Sequence, residues 1–245
     1  MICNIDWVTV PDGSFWIGTD MSVDQVAADF AWAKQVEVPQ HKIKLSEFRI
    51  SRYPMTNYQW AYFLNQTGYD WADRDKLWQS GFPSGKEQHP VVWVTWQDAL
   101  AFCRWAGVRL PTEAEWEKAA RGTDRRLYPW GNQPPNVNLA NFEKQVGDTT
   151  AVDCYPSGKS IYNVYDLAGN VWEWTSTIWG TDKNNPEFVY PYRADDGREN
   201  MDDPDILRVV RAGGWKYSAD LIRCAYRDWN DPHVRGSGLG FRVVK

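Results

Sequence analysis

The stretch GGWKYSADLIRCAYRDW, residues 213–229, sets two tryptophans and two tyrosines around a single cysteine, Cys224. A lone thiol becomes a nucleophile only when it is partly exposed and has a neighbour that lowers its pKa. The apolar neighbours Ile222 and Ala225 read as an alternating buried strand, which predicts an inert Cys224. Cys3, Cys103 and Cys154 lie far apart, without metal-ligand or redox spacing, so reduced and mostly buried thiols are expected. Three histidines, His41, His89 and His233, leave a three-histidine metal site open. His41 and His89 adjoin a strand boundary or a proline and read as structural or surface residues, and His233 falls in a late loop.

These residues need elements to position them. WVTVPDGSFWIG (7–18) reads as an opening hairpin about a Pro-Asp-Gly turn, and HKIKLSEFRISRYP (41–54) as a half-buried strand that stops at proline. Three segments carry helix starts and stops. Thr56 caps TNYQWAYFLNQTG, which ends at Gly68. Thr95 caps a second helix, with Asp98 three residues on, Ala99, Phe102, Cys103 and Ala106 on one face, and Gly107 as the stop. Thr112 and Glu115 open LPTEAEWEKAARG, with Trp116, Ala119 and Ala120 turned inward. Beyond residue 122 turn signals dominate, which predicts short strands among long loops. The pattern is α+β.

Composition narrows the function classes. The 245 residues contain 16 Trp, 12 Tyr and 9 Phe, while mean hydropathy is only −0.60. Such a chain builds its core from large rings, each removing roughly 150–250 Å² from water. The formal charge of −5, with scattered basic residues, argues against a nucleic-acid partner. No signal-peptide pattern or long apolar run is visible, so the expectation is a cytoplasmic protein of one domain, 1–245, with no membrane partner.

RLPTEAEWEKAARG, YPWGN, NVYDLAGNVWEWT and the terminal GLGFRVV resemble, in order and spacing, the formylglycine-generating enzyme (sulfatase-modifying factor) superfamily. The resemblance implies a C-type-lectin-like arrangement, the FGE-sulfatase fold, with twisted antiparallel sheets among long loops. It also implies that oxidases of the family hold Cu(I) on two cysteine thiolates just after a turn matched here by AGGW (212–215). Tyr217 stands where the first thiol is expected and Leu221 or Ile222 where the second is. Neither a phenol nor an alkyl group replaces a thiolate, so no copper is expected. The sulfoxide synthases of the family use iron on histidines, largely from a helical domain with no counterpart in this pattern.

The same resemblance implies a structural Ca²⁺ on DLAGNVWEW, with carboxylates from Asp166 and Glu173 and carbonyls from Gly169 and Val171, a donor set that suits a hard cation. The alternative is that the two carboxylates bond loop amides while Trp172 and Trp174 fill the core. A second calcium site would use Asn141, Phe142 and Asp148.

Without the copper pair, the C-terminal text resembles the variable region of retroelement-diversified lectin-like proteins, here 208–245. Between framework positions lie Lys216, Tyr217, Ser218, Asp220, Leu221, Tyr226, Asp228, Trp229, Asn230, Asp231, His233 and Ser237. Rings with few torsions bind at low entropy cost, and Ser, Asn and Asp add adaptable hydrogen bonds. Tyr217, Tyr226 and Trp229 are the expected anchors; Arg223 and Arg227 are expected to bond loop carbonyls. The expectation is therefore a catalytically inactive relative that binds a protein or small-molecule ligand through its C-terminal face. The alternative is a metal-dependent oxidoreductase of the same superfamily.

Overall fold

The computed structural model describes residues 4–72 and 83–245. Two small antiparallel pairs stand beside one four-stranded sheet. β1 (Trp7–Val10) pairs with β4 (Phe48–Ser51), and β2 (Gly13–Ile17) pairs with β3 (His41–Leu45). The expected hairpin is therefore absent: the Pro-Asp-Gly turn is present, but its flanking strands leave for different partners. The expected strand 41–54 likewise breaks into two, one for each pair.

The larger sheet has the order β7-β6-β5-β8, from Asp228–Asn230, Leu207–Arg211, Trp172–Gly180 and Leu239–Phe241. Its pairs are antiparallel except β5 with β8, which run parallel. All nine residues of β5 and all five of β6 are buried. Alternation therefore gives no clue there, because both faces are covered.

Among the described residues five helices surround the sheets: α1 (Gln25–Ala28), α2 (Ala31–Val36), α3 (Asn57–Thr67), α4 (Trp96–Ala106) and α5 (Glu113–Arg121). The three expected helices are α3, α4 and α5. Each begins with a full capping box, Thr56 with Gln59, Thr95 with Asp98 and Thr112 with Glu115, and each stops at the glycine expected. The two short helices α1 and α2 were not legible in the sequence.

Trp60, Phe63, Phe102 and Phe241 interlock in the main core, with Trp60 edge-on to Phe241 at 6.1 Å. The indoles of Trp96 and Trp174 satisfy their N–H groups on the carbonyls of Thr175 and Val94, at 2.9 and 3.0 Å. Buried indoles usually find such an acceptor; Trp60 Nε1, also buried, has no hydrogen-bond partner among the described residues.

A second interior is charged. Helix α5 is buried all round, including Glu113, Glu117 and Arg121. Arg211 reaches Glu117 at 2.6 Å and Arg227 reaches Glu113 at 2.9 Å. Arg223 closes on Glu37 with two bonds, at 2.8 and 2.9 Å, and adds Asp24 at 2.9 Å. The expectation of carbonyl partners for Arg223 and Arg227 is thus corrected: carboxylates are their principal partners, with carbonyls of Asp220, Val36 and Phe188 added. A buried charge is tolerated only with such a partner.

Candidate functional site at the C-terminal face

The AGGW turn is set by backbone: Gly213 has φ +65°, and a Cβ there would lie 2.7 Å from the Leu221 carbonyl oxygen. The turn throws residues 216–218 outward. Their backbone is fixed by the opposing loop, where the Glu143 and Lys144 amides donate to the carbonyls of Tyr217 and Trp215, at 2.8 and 2.7 Å. Tyr217, 41% exposed, stands edge-on to Trp172 at 5.4 Å. Lys216 lies 4.9 Å over the Trp215 ring and donates to Ser237 Oγ at 2.6 Å. Lys216, Tyr217 and Ser218 are exposed, and with half-buried Ser237 they form one accessible patch.

Beside it lies a hollow of about 230 Å³, lined by Asn57, Lys86, Trp93, Asp148, Thr149 and Ser237 among others. Trp93 adopts φ +64°, a region that a bulky residue occupies at a cost of about 1–3 kcal/mol and keeps only where its surroundings fix it. Its N–H donates to Gly236 O at 3.0 Å. Its carbonyl accepts Trp71 Nε1 at 3.2 Å and Arg235 Nη1 at 3.0 Å. Opposite, Lys86 pairs with Asp148. Burial raises the Asp148 carboxyl, but the Lys86 ammonium and the Thr149 amide outweigh it and hold the group below the usual range. Burial, aided by Lys86, pushes His89 down; its Nδ1 meets Thr149 Oγ1 at 2.9 Å. Sequence reasoning missed Trp93, Lys86 and Asn57, since nothing local marks a left-handed tryptophan.

The remaining expected ligand residues divide. Asp220, Leu221, Asp228, Asn230 and Asp231 are half-buried and His233 is exposed. Tyr226 is corrected: it is 3% exposed, stacked on Phe30 at 6.0 Å, with its hydroxyl donated to Asp228 at 3.1 Å. It is a core residue. Trp229 sits on edge strand β7, half-buried against the Trp179 and Leu207 cluster and 5.3 Å below Lys183.

Cys224 is fully buried, its thiol pushed up to about 12 chiefly by burial. It lies in a turn after the 3₁₀ segment Ala219–Ile222 rather than in a strand. Cys103 is also buried, whereas Cys154 is exposed; Cys3 lies outside the described residues. The three histidines have separate partners: His41 accepts the Tyr192 amide, His89 meets Thr149 and His233 meets Asp205. Among the described residues no group of three or more His, Cys, Asp or Glu is placed to hold a metal.

The expected calcium set does not fit as a set. Both Glu173 oxygens are taken, by Arg242 Nε and Nη2 and by the Trp116 indole at 2.7 Å. Asp166 keeps only the Asn170 amide at 2.9 Å, and burial pushes its carboxyl up to about 7. Gly169 earns its place by packing, since a Cβ would meet Asn141 O at 2.3 Å. Val171 is buried at the start of β5. Of the second set, Phe142 is buried core, Asp148 is committed to Lys86 and Thr149, and Asn141 Oδ1 is buried without a hydrogen-bond partner.

A family model described as the sulfatase-modifying factor enzyme 1-like domain matches residues 4–245. The chain belongs to the FGE-sulfatase family. It is 32% identical to the hercynine oxygenase of Mycolicibacterium smegmatis over 97% of this chain, which corresponds to 60% of that protein. The FGE-sulfatase chain thus spans less than two thirds of that relative's length. Among solved structures, PvdO from Pseudomonas aeruginosa is similar with a TM-score of 0.73 and 25% identity, covering 97% of this chain and 93% of that one. Treponema denticola variable protein 1 has a TM-score of 0.69 at 23% identity, covering 97% and 94%, and so shows the shared fold. No helix among the described residues is long and apolar enough to cross a membrane.

Proposed function

We propose that this FGE-sulfatase protein is a ligand-recognition member of its family, catalytically inactive in thiol-copper oxidation, which binds through Lys216, Tyr217, Ser218 and Ser237 around the Trp93 hollow. The single observation that carries the reading is that the segment after AGGW offers solvent an aromatic ring, an ammonium and hydroxyls but no sulfur, while Cys224 is sealed. A rigid rim with a strained tryptophan beside a space of about 230 Å³ suits one side chain of a protein ligand or a small molecule. Exposed positions such as Tyr217 and His233 tolerate exchange without repacking, which supports retroelement diversification of 208–245 at those sites and excludes Tyr226 from it. No step is routed through calcium, because Glu173 is already neutralised.

The test supplies copper(I), oxygen and a cysteine-containing peptide and follows oxygen uptake. No turnover is expected; turnover lost in Cys224→Ser would overturn the reading. A second reading, an oxygenase that takes its iron from residues outside those described, rests on the 32% identity to a hercynine oxygenase. Oxygen uptake with iron(II) and hercynine would favour it.

A further inference from the structure

Away from the C-terminal face, a larger cavity of about 510 Å³ opens beside the end of α4. Leu100, Cys103, Val108, Leu110 and Met201 give it apolar walls, and Glu199 and Ser176 are the polar groups of interest on its lining. Glu199 Oε1 accepts Thr177 Oγ1 at 2.7 Å and Tyr192 OH at 2.9 Å, and Oε2 accepts Ser176 Oγ at 2.7 Å. All three donors are neutral. A carboxylate offers about four acceptor directions, so Oε2 keeps one open.

Among the described residues Glu199 shares with Asp166 the lack of a cation at hydrogen-bond distance, whereas the buried glutamates are otherwise paired. Glu37, Glu113, Glu117 and Glu173 each hold an arginine in the interior. Glu199 has no Lys, Arg or His nitrogen within 4.0 Å among the described residues. Two arginines share the lining: Arg109 is committed to Glu115 through two bonds of 2.5 and 2.7 Å, and Arg104 is exposed and makes no ion pair with Glu199. Burial pushes the Glu199 carboxyl up to about 7 against the pull of its hydroxyl donors. Above that pH the carboxylate has no cation at hydrogen-bond distance, and one entering the cavity would meet the open side of Oε2.

We propose that this cavity binds a small primary amine with an apolar body, its ammonium on Glu199 Oε2 and Ser176 Oγ and its body against Leu100, Val108, Leu110 and Met201. An ammonium supplies the charge that the fold withholds, and charge-assisted bonds in a partly dry site are the strong ones. An organic acid would meet the Glu199 charge, and a neutral alcohol would leave it unpaired. The site shares no residue with the Trp93 hollow and stands independently of the binding reading above.

Titration with 2-phenylethylamine at mildly alkaline pH, with 2-phenylethanol as the isosteric neutral control, tests it by NMR line shifts of the cavity methyl groups. The wild type should saturate with the amine and bind the alcohol about tenfold more weakly or worse. Glu199→Gln keeps hydrogen-bonding capacity and should lose about the same factor. Met201→Trp, a change on an exposed loop, should block both ligands and keeps the test decisive if Glu199→Gln fails to fold. Equal binding of amine and alcohol, or no saturation by the amine up to about 10 mM, overturns the proposal. So does amine binding undiminished in either variant.

Discussion

Arg242 closes on Glu173 through Nε at 2.6 Å and Nη2 at 2.8 Å, and both side chains are fully buried. The pair joins the last strand region to the start of β5 and leaves Glu173 electrically satisfied. Thermal melts with calcium and with a chelator should therefore coincide within about a degree, because a ligand stabilises only by binding the native state. A shift of several degrees would mean that the cation displaces Arg242. Glu173→Gln should lower stability by about 3–5 kcal/mol in denaturant titration, since it strands a buried guanidinium.

Thiol labelling should separate the cysteines. Under native conditions Cys154 should react with a maleimide, whereas Cys103 and Cys224 stay protected until unfolding, since thiols pushed up to about 12 hold almost no thiolate. Peptide mapping by mass spectrometry reads the outcome. Rapid labelling of Cys224 would reopen the nucleophile reading.

Tyr217 and Tyr226 share a sequence neighbourhood but occupy opposite sides of the surface. Tyr226→Ala should cost about 3–5 kcal/mol of stability, the range for removing a buried ring. Tyr217→Ala should cost within about 0.5–1 kcal/mol and abolish ligand capture instead. Equilibrium unfolding of both variants decides this.

Stability should also depend on pH through Glu199. Its carboxyl rises from an ordinary 4.5 to about 7 in the fold. Below the ordinary value this group's contribution is fully present, and it is lost as pH climbs through about 7. Burial drives the shift, the hydroxyls of Thr177, Ser176 and Tyr192 oppose it and Glu113 adds to it, while Arg109 also feels the Glu199 charge. The melting temperature should fall by a few degrees between about pH 5 and 8, and Glu199→Gln should flatten the decline. An identical slope in the variant would assign the loss to other groups.

What the sequence made legible follows from range. Thr56, Thr95 and Thr112 announced their helices because a capping box closes within four residues. The strands of WVTVPDGSFWIG were legible too, but not their partners: alternation says that a segment is half-buried and nothing about what it pairs with. Nothing local marked the burial of Glu113 and Glu117, whose partners Arg227 and Arg211 lie 114 and 94 residues away. Both tyrosines pack on Trp172, but Tyr226 is also covered by Phe30, nearly two hundred residues earlier in the chain. Glu199 carried no signal, since its meaning lies in the cation it lacks.

Arg211, Arg223, Arg227 and Arg242 all come from the last stretch of the chain, and their carboxylates come earlier, from Asp24 through Glu173. A ribosome therefore releases the acidic half of every such clasp before its basic half. Until residues 211–242 clear the exit tunnel, the carboxylates of Glu37, Glu113, Glu117 and Glu173 have no arginine to close on, so this charged interior cannot form before they emerge. A chain cut before Arg211 would lose a surface and, with it, the cations that let the charged interior leave water.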